Sequence, residues 1–410
     1  MSVPTPSIRL TLAVCLLLAG CDDPAPAPGA VILPTADAGT DGSHADPLDA
    51  MPDMGPDATA DAASDAAPDA MPGCAPDCPV IAWREGPALT RVSDHHTTAV
   101  LGDAQGASLY VIGGIETNAQ GSIADITDEV QRSRLDADGQ PTPFTLHGRL
   151  PFAMAFHGQA IGPRFIHLTA GVRMGLGGVT GSAAVVALPH GPGEILGEAM
   201  LCDEALPQGV VHPTAERLGD ALYVIGGTRQ NPVDEVLLAE IGPDGCPLPF
   251  APSAPLPAPR SHHASAVVDG RIVILGGFGP GQAPRTDILA STHGPDGVVD
   301  GWEVVGTLDP APWTASAIVD GDWLWLIGGG EGSGFGASFV GTVRRAPLID
   351  GLPGPFEAVA APLPLARSHV HQTPLYDGRI YSVGGRVFLE DGFSMTSTDR
   401  TFVGELLDVE

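Results

Sequence analysis

Arg260-Ser-His-His-Ala-Ser-Ala-Val-Val-Asp-Gly-Arg-Ile-Val-Ile-Leu-Gly-Gly277 is the stretch from which the rest of the chain is read. Within it, Ala264–Val268 is apolar and stops at Asp269-Gly270, and Asp-Gly between two apolar runs signals a two-residue hairpin. The second run, Ile272–Leu275, is unbroken and suits a strand buried on both faces. Its closing diglycine permits positive φ or close backbone approach. The phrase recurs at Gly113-Gly114, Gly226-Gly227, Gly276-Gly277, Gly328-Gly329 and Gly384-Gly385, with Ala170-Gly171 as a weakened copy. Successive pairs are separated by 57, 56, 50, 52 and 56 residues, the length of one four-stranded unit.

The units agree in detail. Three positions before each pair stand Tyr110, His167, Tyr223, Val273, Trp325 and Tyr381. A third strand follows a variable loop, and a second turn recurs at Asp138-Gly139, Asp244-Gly245, Asp296-Gly297 and Asp350-Gly351. The fourth strand carries Phe144, Phe250, Trp302 or Phe356, with no aromatic in the second unit. Six phased copies over residues 79–410 resemble the kelch repeat, and the resemblance implies an all-β, six-bladed β-propeller. The sixth unit ends soon after its third strand, while Val80-Ile-Ala-Trp83 precedes the first unit with an aromatic in the missing place. The N-terminal strand is therefore expected to complete the last blade, a closure that removes exposed strand edges.

One face of such a disc collects the starts of the innermost strands and the loops after the diglycines. Aligned on the repeat, the strand starts hold His96, His157, His212, His263, Thr314 and His371. The loops add Arg173, Arg229, Arg285 and Arg386, and the segments leading into the strands add Arg91, Arg260 and Arg367. Arginine gives bidentate contacts to a carboxylate or sulfate, and histidine adds donors, so this face is the candidate site for a glycan, an anionic ligand or a protein partner. Histidine at a copied repeat position also has a structural reading, as a link between neighbouring units. No close metal-ligating spacing recurs among the histidines, and neither a metal nor a cofactor is expected.

Composition removes other classes of function. The 19 basic residues are all arginine, so lysine chemistry is excluded, and a formal charge of −30 argues against nucleic acid, whose binding needs cationic side chains. Arg9, the apolar run Leu10–Leu18 and the Leu18-Ala19-Gly20-Cys21 tetrapeptide resemble a lipoprotein signal, with Cys21 as the lipidated residue. Residues 21–78 form an Ala/Pro/Asp-rich stretch; its part from 22 onward holds 12 Asp and no Glu or Arg, and is expected to be a disordered tether spanning ~40 Å. The remaining cysteines are Cys74, Cys78, Cys202 and Cys246, for which three pairings exist; Cys74–Cys78 with Cys202–Cys246 is preferred.

Galactose oxidase also carries kelch-like blades, but its copper-radical site needs two tyrosines beyond the repeat. Here Tyr110, Tyr223 and Tyr381 belong to the repeat and only Tyr376 is left, so that chemistry is not expected. The chain also resembles six-bladed kelch epimerases acting on N-acetylneuraminate, which work with arginine and acid–base residues; Glu116 and Glu331 are the nearest carboxylates. The expectation is a monomeric propeller, lipid-anchored in a bacterial envelope at the outer membrane or cell surface, that binds a ligand or protein. An enzyme acting on an acidic sugar, or a structural envelope protein, are the alternatives.

Overall fold

The computed structural model describes residues 80–407 apart from 104–105, 119–121, 176–177, 192–194, 204, 370–371 and 391–393. The signal, the tether, Cys21, Cys74, Cys78 and His371 lie outside the described residues. Among the described residues there is no α-helix; two short 3-10 turns interrupt a chain of strands.

Six antiparallel sheets of four or five strands follow one another along the described residues; of the aromatics expected in fourth strands only Trp302 lies within one, and Phe144, Phe250 and Phe356 stand just before theirs. Sheet one runs Thr97–Asp103, Gly106–Ile112, Glu129–Arg134 and Thr145–Arg149. Sheet two runs Gly158–Ile161, Phe165–Thr169, Val185–Pro189 and Met200–Leu201. Sheet three runs Thr214–Leu218, Ala221–Ile225, Val236–Glu240 and Ala251–Pro252. Sheet four is formed by Ala264–Val268, Arg271–Leu275, Asp287–His293 and Val299–Thr307. In sheet five, Ser316–Asp320, Trp323–Ile327 and Val343–Ile349 are joined by two short outer strands, Leu352–Pro353 and Glu357–Ala358.

Sheet six takes Leu375–Tyr376, Arg379–Val383 and Thr401–Leu407 from the end of the chain and Val80–Glu85 from its beginning. The register runs from Val80 opposite Leu407 to Glu85 opposite Phe402, with Trp83 opposite Gly404. The two ends of the described chain are thus tied by a six-residue ladder.

The second strand of each sheet is the most buried, as its unbroken apolar run requires; Leu109, Ile112, Ile166 and Ile272 are wholly hidden from solvent. The turns match their sequence: Asp269 (φ 46°) with Gly270 (φ 76°) has the two left-handed residues of a type I′ hairpin. At the diglycines the reason for glycine is contact as well as φ. A side chain on Gly276 would lie 2.0 Å from the Pro312 carbonyl, and one on Gly277 2.4 Å from that of Ser261.

In four of the six sheets the residue three places before the glycine pair, or its Ala170-Gly171 copy, bonds into the next sheet. Leu196 N donates to the Tyr110 hydroxyl at 3.1 Å, Val299 N to that of Tyr223 at 3.2 Å, and the Tyr381 hydroxyl donates to Gly139 O at 2.9 Å. His167 fills the same role in sheet two, its Nε2 bonding Gly245 O at 2.8 Å. Burial pulls His167 down to about 4, so the ring stays neutral.

Cys202 and Cys246 form a disulfide between sheets two and three. It closes a loop with a sequence separation of 44, for which chain entropy gives a stabilisation of about 4 kcal/mol. Reduction is expected to lower the stability by about 2–4 kcal/mol in denaturant titrations; a midpoint unchanged by reductant would count against that loop-closure gain.

Candidate functional site

In the segment leading into each innermost strand one residue is held in the left-handed region: His95, Phe156, His212, His262, Thr314 and His369 have φ between 50° and 59°. Their backbones are joined around an axis. His95 N donates to His369 O at 3.2 Å, Phe156 N to His95 O at 3.1 Å, His212 N to Phe156 O at 3.0 Å, and Thr314 N to His262 O at 2.7 Å. A side chain at each of these positions is thereby turned toward its counterparts in other sheets.

This geometry divides what the repeat alignment treated as one column. His96, His157 and His263 stand one residue further along and are buried links between sheets. Their Nε2 atoms bond Val383 O at 3.0 Å, Thr97 Oγ1 at 3.1 Å and Thr214 Oγ1 at 2.9 Å, each in the preceding sheet. His212 belongs to the left-handed set instead, with His95, His262 and His369, which the alignment passed over. The adjacent pairs His95-His96 and His262-His263 were the available signal.

Rings from the left-handed set pack against one another. Centroids are 3.7 Å apart for His212 and His262, 4.0 Å for His95 and His369, and 3.8 Å for His95 and Phe156. Trp313 extends the cluster at 5.6 Å from His369, and Phe278 at 5.7 Å from His262. Phe339 and Phe388, 4.4 Å apart, continue it outward on two short hairpins. Such hairpins lie between the second and third strands of sheets one, two, five and six, whereas the corresponding loops of sheets three and four are shorter.

The solved structure "Structure of YjhT", a propeller-type protein, is similar to this chain with a TM-score of 0.57 at 11% identity, covering 76% of this chain and 95% of that one. The fold is propeller-type. No family model matches the chain, and no curated protein matches it.

In this propeller-type frame the candidate arginines have unequal surroundings. Arg386 is 1% exposed, and its Nε donates to Asp94 Oδ2 at 3.1 Å. Asp94 is wholly buried; it also accepts from Ser397 Oγ at 2.8 Å and from His95 Nδ1. The carboxylate thus holds a proton on His95 Nδ1. Arg229 pairs with Glu235, and Arg285 donates to Pro259 O at 3.2 Å. Arg173 is exposed on its hairpin, 6.0 Å over the Phe152 ring.

The other residues singled out in the sequence are also engaged. Arg91 pairs with Glu116 at 3.0 Å and Asp125 at 2.5 Å, and Glu331 pairs with Arg344. Arg260 and Arg367 are buried repeat equivalents that donate to the first carbonyl of a diglycine, Gly276 O at 3.1 Å and Gly384 O at 2.6 Å. Much of the positive charge that the sequence placed at the mouth is therefore compensated within the protein.

Below the ring cluster, a cavity of about 20 Å³ is lined by Gln159, Thr214, Ser265, Ser316 and Gln372, among others. It has room for about one water molecule. Glu216 accepts a 2.6 Å hydrogen bond from Ser265, and burial pushes its carboxyl up to about 7. The sign follows from the raised value: its contribution to stability is full below its ordinary 4.5 and is lost as pH rises through about 7. A larger surface pocket of about 440 Å³ lies between the outer strands of sheets one and two, bordered by His147, Arg149, Leu196 and Glu198.

Proposed function

We propose that the chain is a six-bladed kelch-type propeller, anchored through a lipid on Cys21 to a bacterial envelope membrane, that binds a glycan at the histidine-lined face. The outer membrane or cell surface is the proposed location, and the Asp-rich segment 22–78 is the proposed spacer. The disulfide between Cys202 and Cys246 supports an exported protein, because such bonds persist in oxidising compartments.

One observation carries the binding reading. The left-handed position joins neighbouring sheets through its backbone, and Thr314 does this with a small side chain. The imidazoles and the phenyl ring at the other five positions are therefore surplus to that role. A compact group of flat apolar faces with a few polar atoms is what small-ligand sites use. Sugar rings offer C–H faces to Phe278 and Phe388 and hydroxyls to His262, all three partly exposed. With Arg386 and Arg229 already paired, ring contacts rather than charge select the ligand.

Glycan-array binding by the soluble domain 79–410 is the test. His262 and Phe278 are partly exposed, and H262A/F278A is expected to weaken binding at least tenfold with an unchanged melting temperature. Undiminished binding by that variant would remove the site from the mouth. The Asp94–His95 pair favours a second reading, an acid–base enzyme acting on the bound sugar. Turnover that disappears in His95→Gln while binding persists would select it.

A further inference from the structure

Near the propeller axis lies a small cavity whose walls include two amide oxygens that accept no hydrogen bond. Gln159, 1% exposed, donates Nε2 to Thr98 O at 2.9 Å, and Gln372 donates Nε2 to Gln159 O. Both amide oxygens are left buried without a donor, and both residues line the cavity. Ser265 gives its hydroxyl hydrogen to Glu216, and Ser316 gives its own to Thr373 at 2.9 Å. The histidines on the wall, His157 and His263, have their Nε2 atoms engaged by Thr97 and Thr214.

Behind Ser265 stands Glu216, partly exposed and in no ion pair among the described residues. A partly buried carboxylate without a counter-charge is desolvated at a cost that a proton or a cation relieves. Two amide oxygens without donors, beside a carboxylate in no ion pair, are suited to a cation and unsuited to an anion. Oxygen-only donors select a hard ion, and a single carboxylate is too little charge for the usual calcium site.

We propose that this axial cavity is a site for one monovalent cation of about sodium's size, bound by the amide oxygens of Gln159 and Gln372 and the Ser265 hydroxyl oxygen, with Glu216 as counter-charge. The ion ties sheets two, four and six together and neutralises sheet three. Its place is structural, and it does not depend on what the mouth binds.

The test is thermal unfolding of the intact chain at about pH 8, where Glu216 has lost its proton, in about 0.15 M sodium chloride or choline chloride. Sodium is expected to raise the midpoint by roughly 5 °C over choline, as a ligand that binds only the folded state does. The difference is expected to vanish in Glu216→Gln and in Gln159→Met, either of which serves if the other does not fold. Equal midpoints in the two salts overturn the proposal and leave the cavity to water. A rise that survives both substitutions overturns it too, as does one produced by millimolar calcium but not by sodium.

Discussion

Removing residues 79–86 is expected to cost the protein its cooperative fold or to lower its melting temperature by on the order of 10 °C. Val80–Glu85 is the outer strand of sheet six, paired along its whole length with Thr401–Leu407. Ile81 is 4% exposed and packs with Ile318, Trp325 and Ile380, so the strand also seals the seam between sheets five and six. Trp83 Nε1 donates to Ala361 O at 3.0 Å across the same seam.

Burying two such side chains contributes roughly 3–5 kcal/mol, a large part of a typical stability of about 5–15 kcal/mol. The truncation also bares the edge of Thr401–Leu407, which invites association between molecules. Calorimetry and light scattering on the truncated chain check both effects. I81A/W83A, which keeps the backbone ladder, is expected to lose the packing share without the aggregation. A truncated chain that melts like the parent and stays monomeric would mean that this strand contributes little to closure.

Replacing Asp94 by alanine is expected to destabilise the protein by about 3–5 kcal/mol, because Arg386 is left as a buried guanidinium with no carboxylate. The two residues are 292 positions apart, and their contact ties the segment leading into sheet one to the hairpin between the second and third strands of sheet six. Arg386→Leu alone is expected to cost a similar amount through the stranded carboxylate. D94L/R386L is expected to recover most of the loss, since apolar side chains that fill the space remove both desolvation costs. Urea titrations of the parent, Asp94→Leu, Arg386→Leu and D94L/R386L give the coupling directly. Strict additivity of the single effects would show that the pair is not a unit.

The architecture was legible because the repeat is written locally. Asp269-Gly270 specifies a turn, Ile272–Leu275 a buried strand and Gly276-Gly277 a close approach, each through neighbours in sequence. Trp83 as the aromatic of the last sheet followed from counting strands, and the preferred Cys202–Cys246 pairing is the one formed. Which arginines are paired was not legible. Arg386 and Arg229 look alike as loop residues, yet one is buried against Asp94 and the other sits on Glu235 at the surface.

Sequence alone determined the strands, their turns, the period and the joining of the two ends, all properties of short segments repeated at fixed spacing. Only the tertiary structure decided which of His95 or His96, and of His262 or His263, faces the axis and which links the sheets. A shift of one residue along a strand moves a side chain to the opposite side. That choice is set by the backbone hydrogen bonds between sheets, such as His95 N to His369 O, and they exist only once the ring has closed.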